Sequence, residues 1–143
     1  MNEMLKLENQ LCFPLYACAK EVIRRYTPLL EPLGLTYTQY IAMMVMWEHK
    51  SISVRDMGKL LFLDSGTLTP MLKKMEKAGW ISRKRSERDE RMVILSITER
   101  GEKLQERASD VPSKMVGCMT LESDEAMKLY TLLHNMMEPF KLK

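Results

Sequence analysis

The sequence predicts a mainly α-helical protein with a small β-wing: a winged helix-turn-helix whose terminal helices form a dimerisation region. Three observations carry this. Between Asp64 and Glu76, Leu68, Met71, Leu72 and Met75 recur at i, i+3, i+4 and i+7, one apolar face of a short helix, while hydroxyls and lysines fall elsewhere. After Gly79 the period changes to two: Ile81, Arg83 and Arg85 share one strand face, Val93, Leu95 and Ile97 another, and the turn between them is basic. The apolar stripes at both ends of the chain exceed what so small a reader covers, which asks for a second copy.

The elements follow in order. Residues from about Leu11 to Leu30 read as a helix, with Leu15, Cys18, Ala19, Val22, Ile23 and Tyr26 at helical spacing. Pro14 belongs in its first turn, where a missing N–H does no harm. Pro28 and Pro32 end or bend it, and Gly34 marks the turn. Thr38 is the expected cap of the next helix, which is apolar nearly all round through Trp47 and so central. Ser51-Ile52-Ser53 breaks it. Ser53-Val54-Arg55-Asp56 is a capping-box variant opening a helix with Val54, Met57, Leu60 and Leu61 inward. Asp64 or Ser65 caps the reader helix, Pro70 predicts an irregular or bent first turn, and Gly79 stops it. Thr98 caps a long helix from Glu99 to about Cys118, interrupted near Pro112. A last helix runs from about Ser123 to Met137, with Ala126, Leu129, Tyr130, Leu133 and Met137 as its stripe. Residues 36–98 are thus the expected DNA-binding region of a single 1–143 protomer, and 1–35 and 99–143 the expected dimerisation helices.

The chain's 143 residues make one domain or protomer; 45% are hydrophobic and 29% charged, ordinary for a folded protein. No apolar run reaches the roughly 20 residues of a membrane span, and the N-terminus is not a signal peptide, so a cytoplasmic protein without membrane contact is expected. Three cysteines, an odd number, do not suggest a disulfide scaffold. The 14 methionines read first as core filling and second as the lining of an adaptable ligand pocket. His49 and His134 stand alone, with no ligand spacing for zinc, and neither metal nor cofactor is expected.

Net charge is only +3, but its placement is telling. Residues 64–91 hold eight basic residues against five acidic ones, an excess equal to that of the whole chain. The major groove, about 12 Å wide, admits one helix. Ser65, Thr67, Thr69, Pro70, Lys73 and Lys74 lie on the candidate reader, where hydroxyls meet phosphates or base edges and lysines meet phosphates. Arg83, Arg85, Arg88, Asp89 and Arg91 belong to the wing, whose tip can lower an arginine into the minor groove. A twofold dimer sets two readers about 34 Å apart and demands a near-palindromic operator in double-stranded DNA.

The run Asp89-Glu90-Arg91-Met92-Val93-Ile94-Leu95-Ser96-Ile97-Thr98-Glu99-Arg100-Gly101 resembles the wing motif of the MarR family of bacterial repressors. Leu7-Glu8-Asn9-Gln10-Leu11-Cys12-Phe13, Tyr37-Thr38-Gln39-Tyr40, Trp47-Glu48-His49 and Leu63 to Leu72 sharpen the likeness toward its organic hydroperoxide resistance regulator branch. The resemblance implies a homodimeric repressor joined by its terminal helices, with Cys12 as sensing thiol and an organic hydroperoxide as signal. It implies two tyrosines bonding that sulfur across the dimer, here Tyr26 and Tyr37, with Tyr16 a neighbour. It also implies Asp89 and Arg91 at the wing tip, Arg91 in the minor groove. Pro14 departs from the helix former expected there and bears on the setting of Cys12.

Beside a helix start, partial positive charge favours the anionic sulfur that attacks peroxide. The product is a sulfenic acid, which a second thiol converts to a disulfide. Cys18 lies six residues along the same helix, about 9 Å away and beyond a disulfide's reach of about 7 Å. Cys118, reaching across the dimer, is the better resolving candidate; a low-molecular-weight thiol is the alternative. Against this, Cys18 and Cys118 are ordinarily read as small buried hydrophobes, and Cys18 is expected in the core. Two competing functions remain open: a repressor released by a small phenolic or drug-like ligand in a methionine-lined pocket, and a thiol peroxidase. Nothing in the sequence resembles a peroxidase active-site loop, and no enzyme is expected.

Overall fold

The computed structural model describes residues 1–141, so the last two positions of the expected dimerisation region, Leu142 and Lys143, lie outside the described residues. Along the chain come α1 (Cys12–Leu30), α2 (Tyr37–His49), β1 (Ser51–Ser53), α3 (Val54–Leu61), α4 (Ser65–Lys77), β2 (Ile81–Arg85), β3 (Val93–Ile97), α5 (Glu99–Ala108), α6 (Val111–Cys118) and α7 (Ser123–Met137). The strands form one antiparallel sheet in the order β1-β3-β2.

The capping chemistry explains most boundaries. α2 is capped by Thr36, not Thr38. Thr36 Oγ1 accepts from the Gln39 amide at 3.3 Å while Gln39 Oε1 accepts from the Thr36 amide at 3.0 Å, a reciprocal box written in the sequence as Thr36-x-x-Gln39. Thr38 falls two residues inside the helix. Ser53 Oγ accepts from Asp56 N, Asp64 Oδ1 from Thr67 N at 2.7 Å, and Thr98 Oγ1 from Gly101 N at 3.0 Å, so α3 and α5 begin on the expected caps and, of the two candidates for α4, Asp64 is the cap. Pro70 sits inside α4, which nevertheless runs as one α-helix from Ser65.

Ser51-Ile52-Ser53 does more than interrupt two helices. It is the third strand, pairing Ile52 with Leu95. Three residues are too few to show a period, and the partner lies over forty residues away, so the strand was invisible to local pattern. In the hairpin Ile81 lies opposite Ile97, Arg83 opposite Leu95 and Arg85 opposite Val93, so the two residue sets expected to share a face pair with each other.

The core gathers α2, α3, α4 and the sheet base: Met43, Met46, Met57, Leu72, Met75 and Leu95 are fully buried. Each such side chain contributes on the order of 1.5–3 kcal/mol over its exposed state. Methionine here fills core gaps between helices. Two glycines mark where elements touch most closely. A Cβ on Gly58 would meet the Leu63 carbonyl oxygen at 2.8 Å, and one on Gly101 the Trp80 carbonyl oxygen at 2.2 Å. The first tightens the α3–α4 corner; the second presses α5 onto the base of the wing.

The ends behave differently. Within α1 only the C-terminal half packs on its own chain, where Leu30 is buried and Tyr26 and Leu29 pack against the core. Residues 14–20 are exposed throughout. α7 has no buried residue, and Met127, Tyr130, Leu132 and Met136 lie open to solvent.

Candidate DNA interface and thiol site

Asp64 accepts the Thr67 amide, and that bond, with a second from the Thr67 side chain, holds its carboxyl below the usual range. A fixed anion at the first turn anchors α4, whose buried stripe of Leu68, Met71, Leu72 and Met75 decides what faces out. At about 100° per residue, Gly66, Pro70, Lys73 and Lys77 form the crest opposite that stripe. Thr67 and Lys74 flank one side, exposed; Ser65 and Thr69 turn toward the wing. Between α4 and the wing lies a cleft of about 800 Å³, lined by Arg55, Lys59, Ser65, Thr69, Arg83, Asp89 and Arg91 among others. Arg55 and Lys59, one turn apart on α3, were missed by the sequence reading, as was the crest position of Lys77. Their i, i+4 spacing opposite the inward face of α3 was the available signal.

The wing arginines divide by what they already hold. Arg83 bonds Glu76 twice, through its amide at 3.2 Å and Nε at 3.3 Å, tying β2 to α4. Arg85 Nη1 donates to the Glu90 carbonyl at 2.8 Å and so braces the turn. Asp89 shapes the tip: its carboxylate accepts from Arg91 N at 3.0 Å and its carbonyl from Met92 N at 3.0 Å. Arg88 and Arg91 have no salt-bridge partner among the described residues, and both are exposed. Beneath the wing, Thr98 Oγ1 donates to the Gly79 carbonyl, Thr98 N donates to Trp80 O, and Trp47 Nε1 donates to the Gly101 carbonyl at 2.9 Å.

Cys12 is the first residue of α1, which carries no side-chain cap, and Pro14 occupies the third position. The helix therefore begins two residues earlier than a proline start, and Cys12 sits on its open N-terminal turn. Its side chain is exposed. Tyr26 and Tyr37 pack together with ring centroids 4.9 Å apart, and Tyr40, absent from the sequence-level site, completes a cluster at 5.7 Å from Tyr26. Burial, and then the neighbouring rings, raise the Tyr26 and Tyr40 hydroxyl pKa values, so both are neutral donors. Tyr16 is exposed one turn from Cys12.

Cys12, Ala19 and Tyr26 lie on one face of α1, within about 40° of each other, yet fourteen residues separate Cys12 from Tyr26, about 21 Å. The two cannot touch within one chain. Cys118 ends α6, and its carbonyl accepts a bond from Arg25, about 20 Å along α1 from Cys12. An arginine side chain does not span that gap, so a protomer's own Cys118 is out of reach of its Cys12. Cys18, expected in the core, is exposed, as is Cys118. The reason is the one given for α1: its N-terminal half extends past the body of the protomer. The described residues contain no cluster of three metal-binding side chains, and no helix long and apolar enough to cross a membrane.

A capped helix with a polar crest, backed by a basic hairpin on a clamped base, is the working surface of a winged-helix DNA-binding regulator. Known proteins narrow that class. The family model for the transcriptional regulator SarA/Rot matches residues 24–108. The chain is 48% identical over 139 residues to the organic hydroperoxide resistance transcriptional regulator of Bacillus subtilis, covering 97% of this chain and 95% of that protein. Among solved structures it is similar to reduced AbfR bound to DNA, with TM-score 0.80, 34% identity, and 96% and 97% of the two chains covered. It is also similar to disulfide-formed AbfR, with TM-score 0.67, 32% identity, and 95% and 96% covered. The chain belongs to the MarR-type family of winged-helix transcriptional regulators that includes SarA/Rot, in its organic hydroperoxide resistance branch.

Proposed function

We propose that this chain is a homodimeric repressor that holds a near-palindromic operator until an organic hydroperoxide oxidises Cys12. The observation that carries this reading is the split character of α1. Its projecting half bears an exposed thiol on the face that, almost four turns later, bears Tyr26 and the tyrosine cluster packed on it. One protomer cannot bring the two together; two protomers related by a twofold can. If Cys12 of each copy meets Tyr26 of the other, the α1 helices run antiparallel and cross midway, at Ala19, whose small side chain allows close approach. The exposed apolar residues of α7 and of the N-terminal segment are then covered in the same dimer.

In the proposed chemistry the Cys12 sulfur attacks the peroxide oxygen, the O–O bond breaks, and the products are sulfenic acid and an alcohol. The Tyr26 and Tyr37 hydroxyls donate toward the partner's sulfur and steady its charge. The Cys118 thiol then attacks the sulfenic sulfur of the partner's Cys12, forming S–S and releasing water. A low-molecular-weight thiol is the alternative agent of the same step. The disulfide draws α6 toward the partner and alters the separation of the two readers from the roughly 34 Å that DNA requires. Ser65, Thr67, Thr69, Pro70, Lys73 and Lys74 meet the major groove, Arg91 and Arg88 the minor groove, and Arg55, Lys59 and Lys77 the phosphates. Arg83, Arg85 and Asp89 act mainly by holding the wing.

Cys12→Ser is expected to bind operator like the parent and to remain bound in cumene hydroperoxide; release equal to the parent's rejects the sensing role. A second reading, release by a small phenolic or drug-like ligand, is favoured by a cleft of about 340 Å³ lined by Tyr40, Met44, Trp47 and Pro112. Only one methionine lines it. Titration with salicylate-like acids, with Cys12 blocked, separates the two readings.

A further inference from the structure

One side chain fastens the end of α6 to α1. Arg25 donates from Nη1 to the carbonyl oxygen of Cys118, the last residue of α6. Among the described residues it is the only hydrogen bond joining residues 111–141 to any part of the chain before Asp110. A helix leaves its last carbonyls without intrahelical donors, so the guanidinium supplies what the chain does not. α6 is otherwise held by Val111 and Met115, whose side chains are buried earlier in the helix, and Met119 to Glu122 have no regular structure. Arg25 is itself braced. Its Nε lies 3.3 Å from Glu21 Oε1, and Glu21 also receives Arg24 at 2.7 and 2.9 Å. Those guanidiniums, Arg24 first, hold the Glu21 carboxyl down to about 2, so the brace stays charged at neutral pH.

We infer that Arg25 is the positioning residue for the resolving thiol, holding Cys118 where the oxidised Cys12 of the other protomer arrives. The inference rests on the proposed roles of Cys12 and Cys118. Arg25 precedes Tyr26, the residue that the antiparallel pairing of α1 sets against the other copy's Cys12. Anchoring Cys118 to Arg25 therefore places the two thiols of different protomers at one end of the helix pair. The step is the attack of the Cys118 thiol on the sulfenic sulfur: S–S forms, S–O breaks, and the hydroxyl leaves with the thiol proton as water. It requires Cα atoms within about 7 Å, and a fraying last turn lowers the fraction of time this holds. Lysine keeps the charge but lacks the fork that serves Glu21 and the carbonyl together.

The test uses the full-length dimer and cumene hydroperoxide. Cys12 sulfenic acid is captured with dimedone, and the Cys12–Cys118 disulfide is followed by quenched, non-reducing mass spectrometry. In Arg25→Gln, peroxide reacts with Cys12 at the parent's rate, the disulfide closes at least tenfold more slowly, and the dimedone adduct rises. Arg25→Lys falls between, and the reduced variants bind operator as the parent does. Glu21→Gln, which removes the brace and leaves Arg25, slows closure by a smaller factor and serves if Arg25→Gln does not fold. Closure at the parent's rate in both Arg25→Gln and Glu21→Gln overturns the inference. A parent that gives the dimedone adduct but no disulfide overturns the role of Cys118, and the inference with it. A parent in which Cys12 stays unmodified overturns the sensing role itself.

Discussion

Gly101 is the residue on which the wing turns. Its Cα lies where any Cβ would enter the Trp80 carbonyl at 2.2 Å, an obstacle of backbone that no rotamer change relieves. Gly101→Ala is expected to cost about 3 kcal/mol by thermal unfolding. Thr98→Val keeps the shape but loses both the α5 cap and the bond to Gly79, and is expected to cost about 2 kcal/mol. The tyrosines give a pH dependence of definite sign. The folded-state pKa values of Tyr26 and Tyr40 are raised above the ordinary 10.0, so the native state keeps its phenolic protons longer than the unfolded chain. That contribution is whole below pH 10 and is lost as pH rises through the folded values. Tyr26→Phe should therefore move alkaline unfolding, read from tyrosinate absorbance and circular dichroism, to higher pH; an unchanged midpoint contradicts the linkage. At this scale the sequence spoke unevenly. Ser53 and Thr98 announced themselves as caps by local spacing, and the cap of α4 was narrowed to Asp64 or Ser65. Arg83, Arg85 and Asp89 are read as DNA contacts because charge is visible in a sequence, while their bonds to Glu76 and to the groups of the turn come only with the fold.

In the wing and reader some charges are held within the fold and others are not paired among the described residues. Arg83 joins β2 to α4 through Glu76, whereas Arg91 has no ion-pair partner among the described residues. Arg91→Ala should weaken operator binding on the order of tenfold, reduce the salt slope by about one, and leave the melting temperature unchanged. Arg83→Ala should lower stability by about 0.5 kcal/mol and weaken binding less. Measured salt titrations that rank the two arginines the other way overturn this division. Helices and the hairpin were legible because each carries its own period. The strand Ser51–Ser53 was not, since its identity comes from pairing with β3 rather than from any pattern of its own. The same holds for the cap of α2: both Thr36 and Thr38 are sound candidates, and only the reciprocal bond with Gln39 chooses. Pro70 was expected to disturb the first turn, yet α4 runs as one helix from Ser65, since Asp64 and the four buried residues hold it.

At the scale of the whole molecule, the exposed half of α1 and the exposed face of α7 are what the proposed dimer has to cover. Cys18 was expected in a core and lies exposed, because the core is built around the reader and the first half of α1 leaves it behind. The heptad spacing of Cys12, Ala19 and Tyr26 keeps all three on one seam of α1. A twofold that joins Cys12 to the other copy's Tyr26 must also join Tyr26 to the other Cys12, and a straight helix then has no choice but to meet its mate at residue 19. Any arrangement that separates the two Ala19 residues also pulls at least one thiol from its tyrosine. This allows a test independent of peroxide chemistry. In a chain carrying Cys12→Ser, Cys18→Ser and Cys118→Ser, the substitution Ala19→Cys should give a covalent dimer on mild oxidation or with a short bis-maleimide, seen on a non-reducing gel. Ser113→Cys, exposed at the start of α6 and away from the seam, should stay monomeric under the same treatment. Efficient cross-linking at 19 with none at 113 sets the two α1 helices against each other at residue 19, as the antiparallel pairing requires. Cross-linking at neither, in a protein that still sediments as a dimer, means the copies join by α7 alone, and the Cys12 thiol must then find its tyrosines elsewhere.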